Sequence, residues 1–210
     1  MFIEILSGFQ QLMIDVVLMT HMHHDHSGGL TYVNDQGKLV SKYPNAKIIV
    51  NDVEWYEMRN PNNRTRGTYL RENWEPIQDQ VTTFSEYINV IPEIQMIHTS
   101  GHSNGHSIIL LKQGKDTMIH MGDLMLSHVH RNPLWVPAVD DYPMKSILAK
   151  EKWLRQAFEN HYKFFFYHDQ FFAVVEFDKD GKEFVDYVLR SRPPLIPFTD
   201  QQDRKPDFLG

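Results

Sequence analysis

The chain has 210 residues, 41% hydrophobic and 23% charged, the make-up of one globular domain long enough to bury a core. Its 21 Lys and Arg against 27 Asp and Glu give a formal net charge of -6, which repels phosphate backbones and argues against a nucleic-acid partner. It contains no cysteine, which excludes disulfides, iron–sulfur clusters, thiolate zinc sites and cysteine nucleophiles.

The opening MFIEILSGFQ has no basic n-region and no small-residue cleavage site, so no signal peptide is expected. The apolar run from Met13 to Met19 carries Asp15 and is too short to span a bilayer. The expectation is a cytoplasmic protein that makes no use of a membrane. Residues 16–20, VVLMT, predict a buried strand that runs straight into His21-Met22-His23-His24-Asp25-His26. Ser27-Gly28-Gly29 permits a close backbone approach, and a helix can start there. Residues 47–50 read as the next strand. Asn51 with Glu54 three residues on resembles a capped start and predicts a helix over 52–59.

Residues 60–67, NPNNRTRG, form a polar breaker. With the stretch to Ile77 they read as a surface insertion rather than core. The rings of Trp55, Tyr56, Tyr69 and Trp74 either wall the site or pack in the ordinary way. Residues 95–99, 107–112 and 117–121 predict strands, the last two joined by a turn at Gln113-Gly114-Lys115-Asp116. Pro143 marks a helix start, with Met144, Ile147, Leu148, Leu154, Ala157 and Phe158 at helical spacing. Residues 163–167 predict an aromatic strand ending at His168, and a hairpin turns at Asp178-Lys179-Asp180-Gly181. The Pro-rich tail over 190–210 is expected to wrap the surface of a single domain spanning 1–210.

The histidine segment carries chemistry. Zinc takes imidazole nitrogen and carboxylate oxygen. Alternate residues of an extended strand end share a side, so His21 and His23 can chelate one ion. A turn into a helix swings Asp25 and His26 toward a second ion. His24 is out of phase and reads as a non-ligand. Gly101-His102-Ser103-Asn104-Gly105-His106 offers His102 as a third imidazole, with His106 as its competitor. Asp123, after Gly122, can bridge two cations or merely cap a turn. His168 ends a strand, where a lone histidine is more often a core-edge residue. His98, His120 and His161 read as structural, and His128 and His130 as either outer partners or substrate-facing. Each motif falls at a strand end, a common place to build a site.

In order, HMHHDH, GHSNGH, GD and a C-terminal histidine resemble the metallo-β-lactamase-fold hydrolases, and the carboxylate in the third motif resembles their dinuclear subgroup. THMHHDHSGGL, TSGHSNGHS, HMGDL and HRNPLW are similar to the quorum-quenching N-acyl-homoserine lactonases. The resemblance implies an α/β fold, a four-layered αββα sandwich with the metals at one edge between the sheets. It implies two divalent ions, zinc by preference: His21, His23 and His102 on one, Asp25, His26 and His168 on the other, Asp123 and a hydroxide between them. Such proteins carry several strands before the first motif. Here only 20 residues precede it, reading as a helical stretch and one strand. The sandwich is therefore expected to lack its amino-terminal hairpins: either the chain is a truncated product, or a partner or a second copy in a homo-oligomer covers the exposed edge.

The implied reaction is opening of a small-molecule lactone or ester, such as an N-acyl-homoserine lactone, by a metal-activated hydroxide, with Asp25, or a bound water in its stead, carrying a proton to the leaving oxygen. Thioester hydrolysis of the glyoxalase II kind uses the same ligands; basic residues at the site would favour it, and Arg190, Arg192 and Lys205 are too scattered to decide. Net charge disfavours phosphodiester cleavage. A flavo-diiron redox role would need a carboxylate where His23 stands. From a different class, the chain is a catalytically silent fragment that only binds metal or a partner.

Overall fold

The computed structural model describes residues 11–190. The helical stretch expected near the start falls largely on 1–10, and the tail on 191–210; both lie outside the described residues. The chain runs through β1 (Val16–Leu18), helix α1 (His24–Ser27), a hairpin of β2 (Thr31–Val33) and β3 (Leu39–Ser41), β4 (Lys47–Asn51), α2 (Asp52–Arg59) and α3 (Arg71–Trp74). A 3-10 turn (Glu75–Gln80) leads to β5 (Val81–Phe84), β6 (Tyr87–Ile91), β7 (Ile94–His98), β8 (Ser107–Gln113) and β9 (Asp116–His120). Two further 3-10 turns (Gly122–Met125 and His128–Arg131), α4 (Pro143–Glu159), β10 (Lys163–Phe165), β11 (Phe172–Phe177) and β12 (Phe184–Leu189) complete it.

Strand β4 is the centre of a parallel three-stranded sheet, β1-β4-β5. Its Ile48-Ile49-Val50 is buried on both faces, as expected of a covered parallel strand. Ile48 and Val50 pack outward with Trp55 and Met58 of α2 and with Ile77. Ile49 points the other way, to Phe84, Met96 and Ile109. The second sheet has seven strands, β12-β11-β10-β9-β8-β7-β6. In β8, Ile109 faces the first sheet while Ile108 and Leu110 join Trp153, Leu154 and Ala157 of α4. Period-two alternation thus sorts one strand's side chains into two cores. The layers run helix, sheet, sheet, helix, the αββα order expected of the chain. Each buried Ile or Val contributes about 1.5–3 kcal/mol, so β4 and β8 hold the sandwich from both sides.

The helix expected over 52–59 forms with those bounds, and Asn51 Oδ1 accepts the Val53 N–H as its cap. The β8–β9 turn tightens to two residues, Gln113 pairing with Asp116 and Gly114 at φ 61°. Several expectations need correction. The helix at the first motif ends before Gly28 rather than starting at Ser27. Residues 60–64 are exposed, but Tyr69 and Ile77 enter the core over the first sheet, so the stretch to Ile77 is not a surface insertion. Trp55 and Trp74 pack in that core and Tyr56 points to solvent, so of the four rings only Tyr69 meets a candidate ligand, 5.2 Å from His23. Helix α4 starts at Pro143, yet Met144 and Leu148 are exposed. Its inner face is Ser146, Ala149, Lys150, Trp153, Leu154 and Ala157. Lys150 hides there because its Nζ donates to the carbonyls of Asn132 and Trp135, at 2.9 and 2.6 Å. Among the described residues, no helix is long and apolar enough to cross a membrane.

Candidate metal centre

The four motifs meet at one edge of the sandwich. β1 ends at Leu18, short of the buried strand expected over 16–20, and the chain runs on through His21 to an extended His23, where α1 begins and brings Asp25 and His26 to the site. The β7–β8 connection carries His102, and it is stitched to the first motif by the Ser107 N–H donating to the Thr20 carbonyl at 2.8 Å. β9 ends at His120, before Gly122-Asp123, and parallel β10 ends at Phe165, short of the strand expected over 163–167, so His168 follows in a loop. Gly122 sits at φ 51°, and a Cβ there would come within 2.5 Å of His106 Nε2, so this turn admits only glycine.

Two groups of ligand atoms result, each within 4.8 Å of one another: His21, His23 and His102, and Asp25, His26, Asp123 and His168. In the first, His102 Nε2 lies 3.0 Å from His23 Nδ1. In the second, His168 Nε2 is 3.3 Å from His26 Nε2 and 3.4 Å from Asp25 Oδ2. Asp123 stands between them. Its Oδ2 is 3.5 Å from His102 Nε2 and 3.9 Å from His21 Nε2; its Oδ1 is 3.2 Å from His26 and 3.4 Å from His168. His24 is exposed and joins neither group.

The donor set fits divalent cations. His21 Nε2 and Asp123 Oδ1 are buried and make no hydrogen bond, an expensive state for polar atoms that a cation relieves. Nitrogen and oxygen donors without sulfur suit zinc and its neighbours. Burial holds the His21 imidazole well below its ordinary value, and that of His23 at about 3; neutral imidazole is the ligating form. Burial opposes a charge on Asp123, but His168 and His26 beside it outweigh burial and keep the carboxyl well below the usual range. Asp123 and Asp25 in turn raise His168 to about 9, and His168 is the main reason that Asp25 falls to about 2.

Outer contacts fix the inner ones. Asp140 Oδ1 lies 2.8 Å from His102 Nδ1, both buried. Burial alone would lower the His102 imidazole, but this partner and the nearby Asp123 raise it. The pair leaves Nε2 facing the site, the usual outer-shell arrangement of a metal-binding histidine. His106, the competitor, accepts the Asp123 N–H on Nε2 at 3.2 Å and contacts Thr99 Oγ1 through Nδ1 at 3.0 Å. It holds the Asp123 backbone and lies outside both groups. Tyr167 donates to the Asp25 carbonyl at 2.9 Å. His98 contacts the Asn104 carbonyl, His120 that of Phe165, and His161 pairs with Glu176. Sequence reasoning missed Asp140 and Asp169, because nothing local marks a partner 38 or 41 residues away.

The centre opens into a cleft with two arms, both reaching Asp25, Asp123 and Val139. One, about 510 Å³, is lined by Leu126, Val129 and Phe171 with His128 and His130. His128 Nδ1 lies 2.6 Å from Asp169 Oδ2, and the ring packs edge-on to Phe172. The other, about 450 Å³, carries Arg64, Thr65, Thr68 and Asp141 beside Ala138 and Val139. Arg64 pairs with Asp141 across it.

The chain and its fold have known relatives. A crystal structure of a probable metal-dependent hydrolase from Staphylococcus aureus superposes with a TM-score of 0.81 at 40% identity, over 86% of this chain and 64% of that one. A hydroxyacylglutathione hydrolase of Prochlorococcus marinus (strain MIT 9312) is 26% identical over 55% of this chain and 38% of its own length. An N-acyl homoserine lactonase of Bacillus cereus is 28% identical over 49% of this chain and 35% of its own length. The chain thus spans less than two thirds of each of these relatives. The Metallo-beta-lactamase superfamily matches residues 2–167, which include every candidate ligand except His168. With the layered fold and the strand-end histidines already in place, that match makes the chain a member of the metallo-beta-lactamase superfamily.

Proposed function

We propose that the chain is a dinuclear metal-dependent hydrolase, with zinc at both positions, that opens a small lactone or ester of the N-acyl-homoserine lactone kind. The observation that carries this is the Asp123 carboxylate, whose two oxygens face two different ligand groups. His21, His23 and His102 would hold one ion and Asp25, His26 and His168 the other. Divalent ions there supply Lewis acidity and a water acidic enough to ionise near neutral pH. The protein's own part is orientation and proton traffic. Asp25 is the exposed member of the set and borders both arms of the cleft, which supports it as the group that passes a proton to the leaving oxygen. Leu126, Val129 and Phe171 in one arm suit an acyl chain, and Arg64, Thr65, Thr68 and Asp141 in the other offer hydrogen bonds to a polar head.

Metal analysis of the purified chain, followed by assay on a lactone, a thioester and a phosphodiester, tests the reading. Two ions per chain with turnover of lactones alone is the expected result. Thioester turnover alone would move the chain to the glyoxalase II kind of reaction, and two ions without turnover would make it a silent metal-binding fragment. Asp123→Ala is expected to abolish turnover and lower metal content; retained activity would overturn the site.

A further inference from the structure

Glu54 is a fully buried carboxylate outside the candidate ligands and outside both arms of the cleft. The sequence marks it only as the third residue of a capped helix. In the structure its side chain leaves the cap and reaches the site loops. Oε1 accepts the Met22 N–H at 2.8 Å and the Tyr69 O–H at 3.0 Å; Oε2 accepts the Ser103 O–H at 2.6 Å. Met22 lies between His21 and His23, Ser103 follows His102, and Tyr69 packs on the His23 ring. Three charge-assisted bonds on one anion are strong and directional. Burial pushes the Glu54 carboxyl up, and these three bonds oppose that push without cancelling it. One helical turn on, Glu57 accepts from Asn104 Nδ2 at 2.8 Å. Gly105 lies against the Glu54 backbone so closely that no Cβ fits. Helix α2 therefore grips both pieces of chain that carry the three-histidine group. None of the Glu54 contacts adjoins Asp123 or His168.

We propose that Glu54 is a positioning residue that sets the separation of His21 and His23 from His102, and so the metal affinity of the three-histidine position and not of its neighbour. This rests on the dinuclear reading above. A merely structural tether would weaken both positions alike; a positioning role weakens one.

The test is zinc affinity by competition with a chromophoric chelator, on metal-depleted chain, with melting of the metal-free protein followed in parallel. Glu54→Ala is made in a His168→Ala background, which leaves the three-histidine position to be filled, and in a His102→Ala background, which spoils it. The expected result is a further loss of about 10–100-fold in the first background, the usual effect of removing an outer partner, and no further loss in the second. Glu54→Gln keeps the shape and a carbonyl for Met22 and Tyr69, and the Ser103 hydroxyl can turn to accept from the amide. It is expected to restore affinity to within about threefold of the Glu54 chain, since it keeps all three hydrogen bonds. Equal losses in both backgrounds, or no loss in the first, would overturn the assignment. Should Glu54→Ala not fold, Ser103→Ala cuts one tether and is expected to cost several-fold in the His168→Ala background alone; unchanged affinity there overturns the proposal. A parent chain that takes up no zinc sinks the dinuclear reading and this inference together, whereas two tightly held ions indifferent to Glu54 sink this inference alone.

Discussion

Gly105→Ala isolates how the second histidine loop is seated on α2. Gly105 does not occupy the left-handed region, so alanine meets no backbone penalty of its own. The obstacle is space. A Cβ would lie 2.1 Å from the Glu54 nitrogen and 2.4 Å from its Cα. Ordinary contacts start near 3.4 Å, so loop and helix must part by more than 1 Å, and backbone cannot rotate aside as a flexible side chain can. Overpacking typically costs 1–3 kcal/mol, and a backbone-to-backbone clash belongs at or above the top of that range. At about 2–4 °C per kcal/mol for a chain of this size, the metal-free protein should melt about 6–12 °C lower. Zinc should bind more weakly as well, because the Ser103–Glu54 bond stretches with the loop. Thermal unfolding by circular dichroism reads the first effect and chelator competition the second. Gly67→Ala is the control: nothing lies within 4 Å of its added Cβ, and its melting point should stay within about 0.5 kcal/mol-equivalent of the parent's. A melting point for Gly105→Ala within 2 °C of the parent, the shift of about 1 kcal/mol or less, would refute the reasoning.

Asp140→Ala removes the acceptor from His102 Nδ1 and should weaken zinc about 10–100-fold, while Asp140→Asn, which keeps a carbonyl there, should lose less; chelator competition ranks the two. Burial lowers the Lys150 ammonium to about 8 from an ordinary 10.5. Between those values the unfolded chain binds more protons, so the parent should gain stability as pH rises from about 8 to 10.5. Lys150→Met should lack that gain, and melting curves across the window would show parallel slopes if Lys150 were ordinarily solvated. His24→Ala should leave zinc content at the parent's value by elemental analysis, since the side chain is exposed and outside both ligand groups; a lost ion would reassign the first motif.

Local signals in the chain were enough for the elements that depend on local physics. Asn51 caps α2 because a short polar side chain reaches the N–H two residues on. Gly114 makes the two-residue β8–β9 turn because it adopts a positive φ freely. The expected face of α4 holds at Leu154 and Ala157, with Phe158 packed beside them, and fails in the first turns for a physical reason. Apolar spacing favoured Met144 and Leu148, whereas Ser146 and Lys150 are the residues turned inward, and the carbonyls that accept from Lys150 belong to a loop that periodicity cannot see. The stretch to Ile77 looked polar because its few core residues are spread among charges; burial of Tyr69 and Ile77 is decided by the sheet beneath them.

By itself the sequence determined which donor types exist and that each stands where a strand ends, since β-branched runs, glycines and histidine spacing are properties of neighbouring residues. Which histidine of GHSNGH faces the centre was decided only by tertiary structure, through His106 meeting the Asp123 N–H and Asp140 meeting His102. The same holds for Glu54, a helix residue that reaches Met22 and Ser103, 32 and 49 positions away. Such contacts depend on how two sheets and a helix pack against one another, and no periodicity along the chain encodes that separation in space.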